Sequence, residues 1–108
     1  MLKHFKLIDR IMEISHGNIE EAEKYVKEAH RLRHDHRMMA DWCIDMAKHH
    51  LNFNERGELL LDELCRELGE AAGNSELMSA MRTHVHDKRG WMAEETAEIR
   101  TMIEMYGR

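Results

Sequence analysis

RMMADWCIDMAKHHLNFNERGELLLDELCRELG, residues 37–69, carries the pattern that decides the fold. Its stripe runs Met39, Trp42, Met46, His50, Phe53, Gly57, Leu60, Leu64 and Leu68, at steps of three and four. Cys43, Ala47, Leu51 and Leu61 lie beside that stripe. A half-buried strand would alternate every second residue; this spacing is the helical period, held for more than four heptads.

Working outward, the same period recurs on both sides. Upstream, Ile8, Ile11, Ser15, Ile19, Ala22, Val26 and Ala29 form a stripe that Met12, Ile14, Tyr25 and Leu32 widen. Downstream it runs Met78, Met81, Val85, Met92, Thr96, Ile99, Ile103 and Tyr106, flanked by Leu77, Trp91 and Met102. His34-Asp35-His36 divides the first two stripes, with Asp35 as N-cap of the second helix. Gly69 and Gly73-Asn74-Ser75 divide the last two, a C-terminal glycine signal followed by a capping asparagine or serine. The pattern predicts helices at 5–33, 37–69 and 75–106. It reads as continuous through two weak stretches, Ser15-His16-Gly17-Asn18 and Asn52 to Gly57. Short connections make consecutive helices antiparallel neighbours. The expected fold is all-α, an up-down-up bundle of three long helices in a single domain over residues 1–108.

Composition agrees. The chain has no proline, six glycines, 43% hydrophobic and 34% charged residues, weighted toward residue types that lose least on entering a helix. Sixteen basic against 21 acidic side chains give a net charge of −5. Residues 35–69 hold most of the excess, with eight acids against Arg37, Lys48, Arg56 and Arg66. That balance argues against direct nucleic-acid binding, which needs a clustered basic face. Lys3, His4, Lys6, Asp9 and Arg10 interrupt the first apolar residues, so no secretory segment is read there, and no apolar run reaches membrane-spanning length. Cys43 and Cys65 fall on one predicted helix, about 33 Å apart at its rise per residue, too far to pair with each other. Reduced thiols of this kind imply a cytoplasmic setting.

Histidine, at nine, and methionine, at ten, are the unusual counts. Reflecting positions through the two hinges puts His50 level with Asn18 and Glu21 on the first helix and with Glu94 and Glu95 on the third. Three readings of that layer stay open: a core histidine bonded to Glu95 or a neighbour, a metal site built from converging ligands such as His50, Glu21 and Glu95, or a face turned to solvent or a partner chain. His30 and His34 have chelating i, i+4 spacing if the helix continues past them. Asp41, Asp45 and His49 share a face and read as a solvated helix pair. His84 and His86 are two apart and point in different directions. No phosphate loop, nucleophile elbow or HExxH motif is present.

Ile19-Glu20-Glu21-Ala22-Glu23-Lys24-Tyr25 resembles the first helix of ferritin-like and rubrerythrin-like proteins. Ala40-Asp41 through Ala47, His49 and His50, then leucines 59–61 and 64, are similar to their second helix. About half the chain is covered, and the likeness is nearest to short ferritin-like helical proteins of Gram-positive bacteria and their prophages. The resemblance implies a bundle scaffold. The family's glutamate and Glu-x-x-His positions fall here on Asn18, His50 and Phe53, and phenylalanine ligates no metal.

Three wide stripes hold more apolar surface than three helices hide, so a homodimer or a bound protein partner is expected. The leading expectation is a non-catalytic helical interaction protein, self-associating and derived from a phage or mobile element, with no cofactor. The alternative is a ferritin-like protein that binds iron, manganese or zinc and handles oxygen or peroxide.

Overall fold

The computed structural model describes residues 2–72 and 75–107, and among these the chain forms three helices: α1 (Leu2–Leu32), α2 (Arg37–Ala72) and α3 (Glu76–Tyr106). No strand occurs among the described residues. The molecule is a rod 56 Å long and 18 by 15 Å across. Its radius of gyration, 17.0 Å, exceeds the roughly 13 Å of a compact domain this size, because a 36-residue helix is itself about 54 Å long.

Cross-helix pairs give the directions. His4 reaches Glu67, Ser15 lies against Gly57, and Asn18 bonds His50, so α1 and α2 are antiparallel. Arg89 reaches Glu58, Arg100 reaches Glu55 and Tyr106 reaches Asp41, so α2 and α3 are antiparallel as well.

The first hinge differs from expectation in one detail. The amides of Asp35 and His36 both donate to the Leu32 carbonyl, at 3.2 and 2.8 Å, which closes the turn. The His36 carbonyl then accepts the first bond of α2, from Ala40 N at 2.9 Å. His36 therefore holds the capping position, and Asp35 is spent in the turn before it. At the second hinge Ser75 caps α3, its hydroxyl accepting from Met78 N at 3.1 Å. Gly73 and Asn74, the rest of that expected signal, lie outside the described residues. Gly69 does not end α2, which continues to Ala72.

Both weak stretches stay helical, and they face each other. Ser15 is buried, and a Cβ added to Gly57 would sit 3.0 Å from its hydroxyl oxygen. Asn18 pairs with His50 one turn further on. Serine and glycine here are small residues at a close helix approach, a packing need that outweighs their poor propensity.

The seam buries Ile8, Met12, Ile19, Ala22, Val26 and Ala29 of α1 against Ala40, Cys43, Ala47, Leu51 and Leu61 of α2. Here the expected stripe of α2 needs correction. Met39, Trp42, Phe53 and Leu60 are 50%, 53%, 57% and 55% exposed, while the residues placed beside the stripe are almost fully covered. The core face is turned by about one residue, or about 100°. The cause is fit: the alanines of α1 bring the axes close, and small Ala40, Cys43 and Ala47 suit that spacing where tryptophan and phenylalanine do not.

Candidate functional site

The displaced stripe lines a groove. With α3 packed on one side of the α1–α2 pair, the opposite side is uncovered. There α1 contributes Leu7, Ile11, Ile14, Asn18 and Tyr25, and α2 contributes Met39, Trp42, His50, Phe53, Gly57 and Leu60. Leu7 to Asn18 and His50 to Leu60 keep steps of three and four, and Tyr25 and Trp42 continue the same faces at two-turn intervals, the spacing of a bundle seam. Ile11, Ile14, Ser15, Asn18, Phe53, Arg56, Gly57 and Leu60 enclose an open cleft of about 370 Å³ at its centre. Gly57 lies among its lining residues, where the missing Cβ leaves room for Ser15 and Ile11 of α1.

The upper half of the groove is aromatic and polar. His50 Nδ1 donates to Asn18 Oδ1 at 2.9 Å, and the carbonyl acceptor requires the proton on that nitrogen. The imidazole stacks on Tyr25 at 5.7 Å between centroids, and Tyr25 meets Trp42 edge-on at 6.0 Å. The level match of His50 with Asn18 is as the sequence reading placed it; the bond to Glu95 is not formed. Glu95 lies on α3, across the molecule, where its charge acts on Lys27. Glu21 is exposed and pairs with Lys24 at 3.4 Å.

The remaining candidates are dispersed. His30 is partly buried and donates from Nε2 to the Met102 carbonyl at 2.9 Å. His34 is exposed in the turn after α1 ends, so the two imidazoles lose their helical i, i+4 register. Asp41 accepts from Tyr106 and Arg37, while Asp45 and His49 face solvent. Among the described residues no three His, Cys, Asp or Glu side chains gather so as to hold a metal ion. Both cysteines are unpaired, and burial raises each thiol above its usual range, partly offset at Cys65 by Arg89. Raised thiols are poor nucleophiles at neutral pH.

On the other side of the pair, α3 is held by one buried residue in every seven, Met78, Val85, Met92, Ile99 and Tyr106, and by polar contacts between them. His16 stacks on Trp91 at 4.7 Å and bonds Glu20 at 2.8 Å. Arg89 bridges Glu58 and Asp62, at 2.5 and 2.9 Å, and Arg100 reaches Glu55 at 2.8 Å. Burial acts to lower the pKa of Arg89, but the two carboxylates outweigh it and leave the guanidinium held above its usual value. Between α3 and the pair runs a second cleft, of about 330 Å³, walled by Ile19, Leu51, Met92, Ala97 and the buried Ser15 and Asn54.

Asn54 was the residue sequence reasoning missed. It is only 7% exposed, and neither Nδ2 nor Oδ1 has a partner among the described residues. Such an amide costs on the order of 1–3 kcal/mol per unpaired group. The signal was available, since Asn54 falls three residues after Leu51 and seven before Leu61, in line with the true core face.

A scan of protein-family models, a search of curated proteins and a search of solved structures each gave no match. No helix among the described residues is long and apolar enough to cross a membrane. The functional reading rests on the geometry.

Proposed function

We propose that this chain is a non-catalytic helical interaction protein that pairs with a second copy of itself through the α1–α2 groove. One observation carries the reading: a seam-spaced apolar stripe running most of the length of α2 lies uncovered opposite α3. Leu7, Ile14, Met39, Trp42, Phe53 and Leu60 each keep about half their surface exposed. At roughly 200 Å² apiece they leave on the order of 600 Å² of apolar area on one face, the upper end of what monomers show. Two such faces together remove on the order of 1,200 Å² from water, enough for a stable interface. The pairing supplies the two helices that a four-helix arrangement around this groove lacks.

Light scattering tests it. The wild type should have the mass of a dimer at tens of micromolar, and Phe53→Glu with Leu60→Glu should be monomeric with unchanged helical circular dichroism. A wild-type monomer contradicts self-pairing. A dimer that survives both substitutions places the interface elsewhere and overturns the groove. A monomer that captures a different helical protein through the same residues would replace the second copy as occupant.

A further inference from the structure

We infer that the second copy lies antiparallel on the groove, with each Trp42 filling the partner's cleft and each Asp45 meeting the partner's Arg56. The inference rests on the self-pairing reading above and supplies its geometry.

The groove carries a knob and a hole at different levels. Trp42, 53% exposed, stands at its aromatic end. The cleft of about 370 Å³ lined by Ile11, Ile14, Phe53, Gly57 and Leu60 lies further along the rod. A two-fold interface is self-complementary, so the knob must find its own hole on the other copy. Two arrangements with two-fold symmetry lay one groove face on the other. With parallel rods every residue keeps its level, so cleft would meet cleft and leave a double void. With antiparallel rods the two α2 helices lie side by side and levels exchange about the axis. The point midway between Trp42 and Gly57 falls within a residue of His50. An axis there seats Trp42 in the partner's cleft, and a large aromatic in an apolar pocket is the kind of anchor that dominates interfaces.

Charge places the same axis independently. Asp45 and Arg56 are both exposed, about three turns apart on the outer edge of the groove. Neither has an ion-pair partner among the described residues. Their midpoint is again within a residue of His50, so each Asp45 comes level with the partner's Arg56, twice per dimer. Half-exposed Met39 and Leu60 exchange about that point too. Parallel rods offer no such match: the α2 edge would face an α1 edge whose Arg10–Glu13 and Lys24–Glu21 charges are already paired. Ion pairs at a rim add little affinity but select among arrangements.

Sedimentation equilibrium of the full chain at low salt reads the arrangement. Asp45→Arg and Arg56→Asp each set like charges together twice per dimer and should weaken pairing by about tenfold, and combining them should restore it to within about threefold of wild type. Cross-linking with a short bismaleimide reads it a second way, in a Cys65→Ser chain. His49→Cys, beside the axis, should join the two copies. Glu63→Cys, on the order of 40 Å from its counterpart across an antiparallel dimer, should not. Charge variants without effect, no rescue in the double variant, or cross-linking through position 63 in place of position 49 would overturn the antiparallel arrangement. If Phe53→Glu with Leu60→Glu still breaks the dimer in that case, the paired groove itself stands, whereas a wild-type monomer removes both.

Discussion

Between Phe5 and Leu32, α1 buries a residue at every third or fourth position, whereas α3 buries only Met78, Val85, Met92, Ile99 and Tyr106, one in seven. The α1–α2 seam is continuous apolar packing with small residues at its closest points. The docking of α3 is one apolar knob per two turns, supplemented by histidine contacts, arginine bridges and a tyrosine bond. Apolar packing is insensitive to salt and pH, while exposed and half-exposed ion pairs are weak and screened. The difference implies two levels of stability in one rod: a firm α1–α2 pair, and a third helix held by contacts that solution conditions reach.

Truncation in the seam should have the largest effect. Leu61→Ala removes a fully buried side chain and is expected to cost about 2–5 kcal/mol, seen as a lower melting temperature with all three helices lost together. Loss confined to α3 would break the comparison. Arg89→Ala removes two carboxylate partners at once and should cost about 1 kcal/mol. Hydrogen exchange should speed up across α3 and leave α1 and α2 little changed, and 1 M salt should act in the same direction. Equal acceleration in all three helices would show that α3 is not held separately.

Glycine substitutions sharpen the seam itself. Gly17 has nothing within 4 Å of an added Cβ, whereas Gly57 faces Ser15 at 3.0 Å. Gly17→Ala should stabilise by about 1 kcal/mol, and Gly57→Ala should gain none of this, because Ser15 must move. Equal gains in thermal denaturation would mean that the axes are further apart at this level.

The smallest expected effect is at alkaline pH. Burial, reinforced by the bond to Asp41 at 2.6 Å, raises the Tyr106 hydroxyl above its ordinary value of 10.0. The folded state therefore keeps this proton longer than the unfolded chain. The stabilisation is whole below about pH 10 and is lost as pH rises through the native value. The melting-temperature advantage of wild type over Tyr106→Phe should be constant from pH 7 to 9 and shrink above pH 10. An advantage that grows there would reverse the assignment.

The helices were legible in the sequence because the three-four period persists through every one of them, and even the weak stretches at Ser15–Asn18 and Asn52–Gly57 did not interrupt it. The level match of His50 with Asn18 followed from counting residues through a short hinge. The face of α2 did not follow. Its apolar arc is wide enough to serve two neighbours, and hydrophobicity ranks Trp42 and Phe53 above Ala40 and Ala47. Only the close approach set by Ala22 and Ala29 decides that the small residues go inside. Glu95 was misplaced for the same reason, since the side on which α3 packs cannot be read from its level along the rod. Asn54 lies inside the weak stretch Asn52–Gly57, and its position on the true core face of α2 is what makes it a buried amide.

Hydroxyl-radical footprinting across a dilution series tests the paired groove most directly, because it reads the side chains in question. At tens of micromolar Trp42, Phe53 and Leu60 should be protected, and protection should fade together on dilution, while exposed Leu77 on α3 reacts equally throughout. Trp42, Phe53 and Leu60 reacting as freely when concentrated as when dilute would contradict the account.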